Sequence, residues 1–469
     1  MTTLLNVARF LAALLVGATS IANGTVAADD TELCNTSAKN PDEAIPACTR
    51  LIDQVGRVGG LSAIYTNRGT AWYRKGQLDN AISDFSQAIQ RDPNNVIAYR
   101  NRGLSWHRKR QFDSAIVDFS EVIRLDPNSA SGYTDRSASL ISKGEFDSAI
   151  SDCNQAIKID NRSVAAYQNR GLAWHAKGAL DRALQDFDKV VALAQQSDAA
   201  RNNRAAVFID KGNFDRAIED YNEAIRLAPK DWRALSSRGE AWRLKGDMNR
   251  ALADHDAAIR LDPHSADAYN NRALVWRDRG ELQKAIDDYS QAILVNPLYA
   301  LAYGNRGEIW RLTGDFDRSL IDLNKAAELA PKDPMILTMR GETLRDRGQF
   351  EQALKDFDKA LEISPDGAVV YTDRALTLEK MGDLARAHAD FKKALSLPSA
   401  KDPATTRTAQ ETARARLAAL EAKLSEENAV VELRFDSAFG PLYETAPYYC
   451  SFCHNACANT LLLMSACGP

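Results

Sequence analysis

The chain has 469 residues, of which 59 are basic and 63 acidic, giving a formal net charge of −4, and 45% of its residues are apolar. Near-neutral charge excludes the global field that draws proteins non-specifically to nucleic acid or to an anionic bilayer. Its 25 glycines and 15 prolines are no excess, which excludes a fibrous or low-complexity chain. The length of about three ordinary domains also fits a single array growing in one dimension.

At the N-terminus, Arg9, the apolar run Phe10 to Val16 and the small residues Val26-Ala27-Ala28 ahead of Asp29-Asp30 have the three parts of an export signal. Residues 1–28 are therefore expected to be a cleaved signal peptide, with an uncleaved anchor as the alternative. The run is too short to span a bilayer comfortably, and no other segment reads as transmembrane, so no membrane span is expected after cleavage. The mature chain is then expected in a bacterial periplasm or secreted, where cysteines pair.

Residues 29–61 echo the array that follows, with Cys48 where later units carry an aromatic residue and Cys34 fourteen residues earlier, on the partner helix. In an exported protein this spacing predicts a Cys34–Cys48 disulfide worth roughly 3 kcal/mol, two buried thiols being the alternative.

From Ser62 to Lys401 the chain repeats every 34 residues without insertion or deletion. Arginine recurs at 68, 102, 136, 170, 204, 238, 272, 306, 340 and 374, and aspartate sixteen residues after each. Such a period marks stacked units that cannot bury their apolar faces alone. Each unit has two amphipathic helices joined at a glycine, of which Gly144, Gly246 and Gly382 are examples. Arg110 replaces that glycine in repeat 2, so its turn is expected to be strained or differently shaped. Prolines such as Pro127 and Pro263 close most second helices. Asn161, Gln195 and Ser399 break that series, and irregular curvature is expected after repeats 3 and 4. The first helix carries an aromatic, a small residue and a tryptophan at spacings that share one face, as in Tyr303, Gly307 and Trp310. The second alternates small and aromatic residues, as in Ala285, Tyr289 and Ala292.

This order of aromatic, glycine, aromatic, then Ala-x-x-x-Phe and proline at a period of 34 resembles the tetratricopeptide repeat over residues 62–401. The resemblance implies an all-α, right-handed superhelical solenoid of ten helix-turn-helix repeats, with first helices lining a groove that holds peptides or protein segments. The ten arginines depart from the family, which usually has leucine there. Residues 402–426 start at Asp402-Pro403 and carry one apolar stripe through Ala409, Ala413, Leu417 and Leu420, the pattern of a capping helix. Residues 427–469 form an apolar, cysteine-rich tail.

The arginine and aspartate of each repeat lie on faces that must be buried, where an unpartnered charge costs roughly 3 to 5 kcal/mol, so they are expected to pair with each other. Asparagine immediately before that arginine recurs at Asn67, Asn101, Asn169, Asn203, Asn271 and Asn305, opposite the aromatic stripe. An amide donates and accepts, so a spaced row can hold the backbone of an extended peptide. Superhelices of this family use such a ladder, and the match covers those six positions. Solvated or locally bonded helix asparagines are the alternative. Arg243, Arg277, Arg311 and Arg345 follow the tryptophan position in four consecutive units, with Glu240, Glu308 and Glu342 three residues before three of them. They read either as an acid-binding strip or as surface ion pairs.

In the tail, Cys450, Cys453 and His454 form Cys-x-x-Cys-His, followed by Cys457 and Met464. The spacing admits c-type haem with His454 and Met464 as axial ligands, a zinc site, disulfides, or a disordered tail. No phosphate loop, nucleophile elbow or metalloprotease helix occurs, so no enzyme and no cofactor within the array are expected. Taken together, the residues predict a scaffold for a protein or peptide partner, with no nucleic acid. A haem-bearing or metal-binding protein is the alternative.

Overall fold

The computed structural model describes residues 29–55, 60–398, 405–423 and 425, and all regular structure among them is helical. Residues 1–28, expected to be a signal peptide, Ser399, the Asp402-Pro403 helix start expected from the sequence and the tail 427–469 lie outside the described residues. The chain divides between Asp262 and Pro263 into two compact units.

The first unit opens with two helices, 29–35 and Pro41–Val55, that bury Cys34, Ala47, Cys48 and Leu51 together. Repeat 1 then supplies Leu61–Arg74 and Leu78–Arg91, and each following repeat adds a pair displaced by 34 residues, up to Met248–Leu261 in repeat 6. The second unit contains repeats 7 to 10, from Ala266–Asp278 to Leu384–Ser396, and the helix 405–423. That last helix packs Ala413 and Leu417 against Ala375, Leu378 and Phe391 of repeat 10. Within each unit neighbouring helices pack pairwise, and the substantial contacts between alternate helices all join first helices to first helices.

Local sequence explains the boundaries. Asn95, Ser163 and Ser265 sit just before first helices, and their side chains accept from the backbone N–H three residues on, at 2.9, 3.4 and 3.2 Å. This occupies one donor that a helix start otherwise leaves unpaired. First helices end in the left-handed turn expected of glycine, as at Gly246 with φ 93°. Arg110 enters the same region, with φ 59°, and is the one non-glycine to do so among the described residues. The turn of repeat 2 therefore keeps its shape and carries the strain of a side chain there.

The loops without proline also stay regular. Ser163 N–H donates to Asp160 at 3.2 Å and Ser197 N–H to Ala194 at 3.0 Å, matching the 3.1 Å bond from Ser129 to Asp126 before a proline-containing loop. The Asp160 carboxylate accepts from Arg162 N–H at 2.9 Å, as Asp126 does from Asn128. The turn hydrogen bonds at these loops therefore do not need the proline ring.

Inside the stack, Phe85, Phe119, Phe187, Phe357, Phe391 and Tyr289 are fully buried among alanines. Glycine on the first helix lets these rings approach: a Cβ on Gly341 would lie 2.7 Å from the Phe357 ring. The tryptophans are half-buried at the margin, and Trp174, Trp242, Trp276 and Trp310 are capped by cations from the following helix, as Arg318 stands 4.8 Å over Trp310. Near the turns, ion pairs link the repeats of the first unit in series, and one such pair joins repeats 8 and 9. Lys75 reaches Asp42, Lys143 reaches Asp113 and Arg347 reaches Asp317, and Lys109, Lys177, Lys211 and Lys245 repeat the pattern with Asp79, Asp147, Asp181 and Asp215.

Candidate functional site

The arginine and aspartate series close on each other. In all ten repeats Nε and Nη2 donate to the two oxygens of the aspartate sixteen residues on, at 2.6 to 2.9 Å. The spacing works because the turn between helices brings position seven of the first against the middle of the second. The third nitrogen ties the repeat to its predecessor: Nη1 of Arg102, Arg136 and Arg306 donates to Ser86, Ser120 and Ser290 at 3.0, 3.0 and 2.9 Å. Arg170 and Arg340 use Asn154 and Asn324, and Arg204 and Arg374 use Asp188 and Asp358. The tyrosine three residues before the arginine lies under its guanidinium, 5.6 Å away at Tyr99 and 5.9 Å at Tyr303. The aspartates are buried, and burial pushes the Asp118 carboxyl up against the opposing pull of Arg102. This ladder is internal and saturated, which leaves it structural.

The asparagine row occupies the first-helix face, where successive repeats meet. Asn67 Nδ2 donates to Asn35 at 3.0 Å, Asn101 to Thr70 at 3.3 Å, Asn169 to Ser137 at 2.9 Å and to the Thr134 carbonyl at 3.1 Å, and Asn305 to Asn270 at 3.0 Å. Asn271 accepts from Asn270 at 3.3 Å. In Asn67, Asn101, Asn169 and Asn305 the amide oxygen accepts no hydrogen bond among the described residues, and the half-buried Asn203 makes no side-chain hydrogen bond there at all. Local bonding, one of the two alternatives read from the sequence, is thus present at Asn67, Asn101, Asn169 and Asn305, whose amide nitrogens join neighbouring repeats. Asn305 is the exception in exposure, at 8%.

The four arginines after the tryptophan position are engaged by carboxylates. Arg243 binds Glu240 through two bonds of 2.8 Å, and Arg277 binds Asp278 at 3.0 and 3.1 Å. Arg311 binds Glu308 at 2.7 and 2.9 Å, Asp346 of the next repeat at 2.7 Å, and stands 3.3 Å from Glu342. Arg345 reaches Asp373 of repeat 10 at 2.7 Å and Asp346 at 3.2 Å. Spacing within one helix revealed the Glu308 and Glu240 pairs. It does not reveal the bonds from Arg311 to Asp346 and from Arg345 to Asp373, whose acids belong to the next repeat. Burial, and then the nearby Asp373, push the Glu342 carboxyl up to about 8, against the pull of Arg311. The Glu308 carboxylate, first among several, pushes the Arg311 guanidinium further up.

The histidines are dispersed. His107 Nδ1 lies 2.9 Å from the Ser139 hydroxyl, and burial lowers its titration below the ordinary histidine value. His175 Nε2 lies 2.6 Å from Asp210. Among the described residues no three His, Cys, Asp or Glu side chains are grouped to hold a metal. The Cys153 thiol is buried and pushed up to about 11 by desolvation, so it is a poor nucleophile. The Cys34 and Cys48 sulfurs lie at disulfide geometry, with Cα atoms 4.9 Å apart. Cys450, Cys453, His454, Cys457 and Met464 lie outside the described residues.

Profiles described as tetratricopeptide repeat match residues 135–198, 202–263, 334–399, 62–95 and 266–299, together more than half of the chain. No curated protein matches it. Among solved structures, a tetratricopeptide repeat protein from Parabacteroides merdae is 21% identical, covering 53% of this chain and 99% of its own, with a TM-score of 0.46. Yeast Tom70 is 15% identical over 86% of this chain and 98% of its own, with a TM-score of 0.47. YrrB, described as a tetratricopeptide protein with an unusual peptide-binding site, is 22% identical over 39% of this chain and 95% of its own, with a TM-score of 0.32. With the repeat profiles matched across both compact units, and the paired helices at a period of 34 on which they rest, the chain belongs to the tetratricopeptide repeat family.

Proposed function

We propose that the protein is a non-enzymatic interaction scaffold whose first-helix face holds an extended peptide or a segment of a partner protein. The observation that carries this reading is the asparagine row: the amide oxygens of Asn67, Asn101 and Asn169 are left unbonded at half-buried positions, and Asn203 has its whole amide unused. Carbonyl oxygens spaced one repeat apart suit the N–H groups of a backbone and do not read its sequence. The Arg243, Arg277, Arg311 and Arg345 side chains border the same face, but a ligand carboxylate would have to displace carboxylates they already hold. No nucleic acid is proposed as partner, because the ten ladder arginines are consumed internally.

The same reading sets the scaffold in an oxidising compartment outside the cytoplasm, supported by the export-like start and by the placement of Cys34 against Cys48. The test is a pull-down from the native compartment with the Asn101→Ala, Asn169→Ala and Asn203→Ala changes combined. The reading expects at least about tenfold loss of a specific partner, since each lost buried hydrogen bond is worth ~1 kcal/mol, with an unchanged far-ultraviolet circular dichroism spectrum. Undiminished recovery would count against it.

A further inference from the structure

Trp72, Trp106, Trp174, Trp242, Trp276 and Trp310 share one register on the first helix, and repeat 9 carries Leu344 there. The tryptophan has a recurring setting. It packs on an isoleucine from the second helix of the preceding repeat: Trp174 joins the cluster of Ile150, Trp242 that of Ile218 and Trp310 that of Ile286. A cation at the end of its own helix stands over the ring, with Lys109 5.9 Å from Trp106, Lys245 5.4 Å from Trp242 and Arg279 5.5 Å from Trp276. The following helix adds another, as Arg250 stands 4.5 Å over Trp242 and Lys284 4.4 Å over Trp276.

Repeat 9 keeps most of this setting without the ring. Leu344 shares a core cluster with Leu320 of the preceding repeat, and Arg347 occupies the register of Lys245 and Arg279. Gln352 replaces the cation of the following helix. The shorter side chain leaves a cavity of about 520 Å³ whose walls include Leu320, Ile321, Leu344, Arg347, Gln349 and Gln352. Ile321, on its rim, exposes 69% of its surface. Most charged groups along the walls are engaged: Arg340 with Asp356 and Asn324, and Arg347 with Asp317 at 2.7 Å. Lys355 is the one lining charge without an ion pair among the described residues.

We propose that this cavity receives an aromatic side chain of a partner protein, a tryptophan above all, in the setting that Trp242 and Trp276 have in their own repeats. Leu320 and Leu344 supply the aliphatic floor, and Arg347 supplies a cation for the face of the ring. The amide oxygens of Gln349 and Gln352 accept no hydrogen bond among the described residues, so either can take the indole N–H. An aliphatic side chain would fill the floor and gain nothing from Arg347. A charged one would have to displace the pairs that Arg340 and Arg347 already make. The site is built on second helices as well as a first helix, goes beyond the amide-row reading and stands without it.

The test is selection of a displayed library of random 12-residue peptides on the full chain, with selected peptides then titrated against variants. Leu344→Trp supplies the ring from within, as in the other repeats, and Ile321→Ser removes an exposed wall without touching the core. The expected result is a peptide set rich in tryptophan, with affinity at least about tenfold lower on either variant. Affinity should be unchanged when Asn101→Ala, Asn169→Ala and Asn203→Ala are combined. Leu344→Trp should also raise the urea midpoint of unfolding, because the new ring covers Leu320 and meets Arg347. If Leu344→Trp does not fold, Ile321→Ser alone decides. Selected peptides without aromatic residues, peptides with equal affinity for wild type and Ile321→Ser, or no selected peptide at all overturn the proposal. Peptides whose affinity falls only on the combined amide variant overturn it and leave the amide-row reading standing. A dimer of the full chain, seen in sedimentation and dissociated by Ile321→Ser, would put a second copy in the cavity and overturn the assignment to another protein.

Discussion

Removing Arg306 alone should be among the most damaging single changes in the second unit. Asp322 is 4% exposed and takes bonds of 2.7 and 2.8 Å from Arg306, which also donates to Ser290 at 2.9 Å. Arg306→Met leaves a buried carboxylate without its partner, at a cost of roughly 3 to 5 kcal/mol. Asp322→Asn should cost less, about 1.5 to 3 kcal/mol, because the Arg306 side chain is 20% exposed and can turn to water. Combined, the two changes remove both charges, so their losses should fall short of the sum by at least ~2 kcal/mol. Repeat arrays unfold in parts, so amide hydrogen exchange across Ala300–Leu312 and Phe316–Leu329 should be measured together with the urea midpoint. Losses that add to within about 0.5 kcal/mol would show that the pair is not coupled, and the structural account of the ladder would fall.

Three further outcomes are expected. Arg110→Gly should stabilise the chain by about 0.5 to 1 kcal/mol, seen as a raised urea midpoint, since φ 59° strains a residue with a Cβ. Gly341→Ala should destabilise by about 1 to 3 kcal/mol in the same assay, because the new methyl meets the Phe357 ring at 2.7 Å. Glu342 sets a pH dependence whose sign follows from a carboxyl at about 8 in the fold against 4.5 unfolded. The fold holds a proton that the unfolded chain has released. Its contribution is therefore full below pH 4.5, falls as pH rises by up to ~1.4 kcal/mol per pH unit, and is lost above about 8. Urea titrations of wild type and Glu342→Gln between pH 5 and 9, on the order of the window set by those values, should diverge with that slope.

Much of this architecture is legible in the sequence because the dominant forces act within one repeat. Sixteen residues from arginine to aspartate is a distance across one helical turn and its hairpin, so the Arg306–Asp322 pair follows from burial and charge alone. Relations between repeats are less legible. Arg311 to Asp346 and Arg345 to Asp373 span 35 and 28 residues, and which of these pairs forms depends on the rotation of one repeat against the next. The asparagine row shows the same limit. Its period is plain in the chain, while the commitment of Asn169 to Ser137 and the unused amide of Asn203 depend on the side chains one repeat away. At Arg110 local propensity argues for a different turn, yet the packing of repeat 2 holds the residue in the left-handed region.

The central claim is that partners bind on the first-helix face. Its most direct test is site-specific photo-crosslinking in the native compartment, with a benzophenone side chain placed at Asn203 in one variant and at Val117 in another. Val117 lies on a second helix of the same unit and is 62% exposed, so access alone cannot favour Asn203. The account predicts a discrete partner adduct from position 203 and none from 117. An adduct from 117 with none from 203 would contradict it.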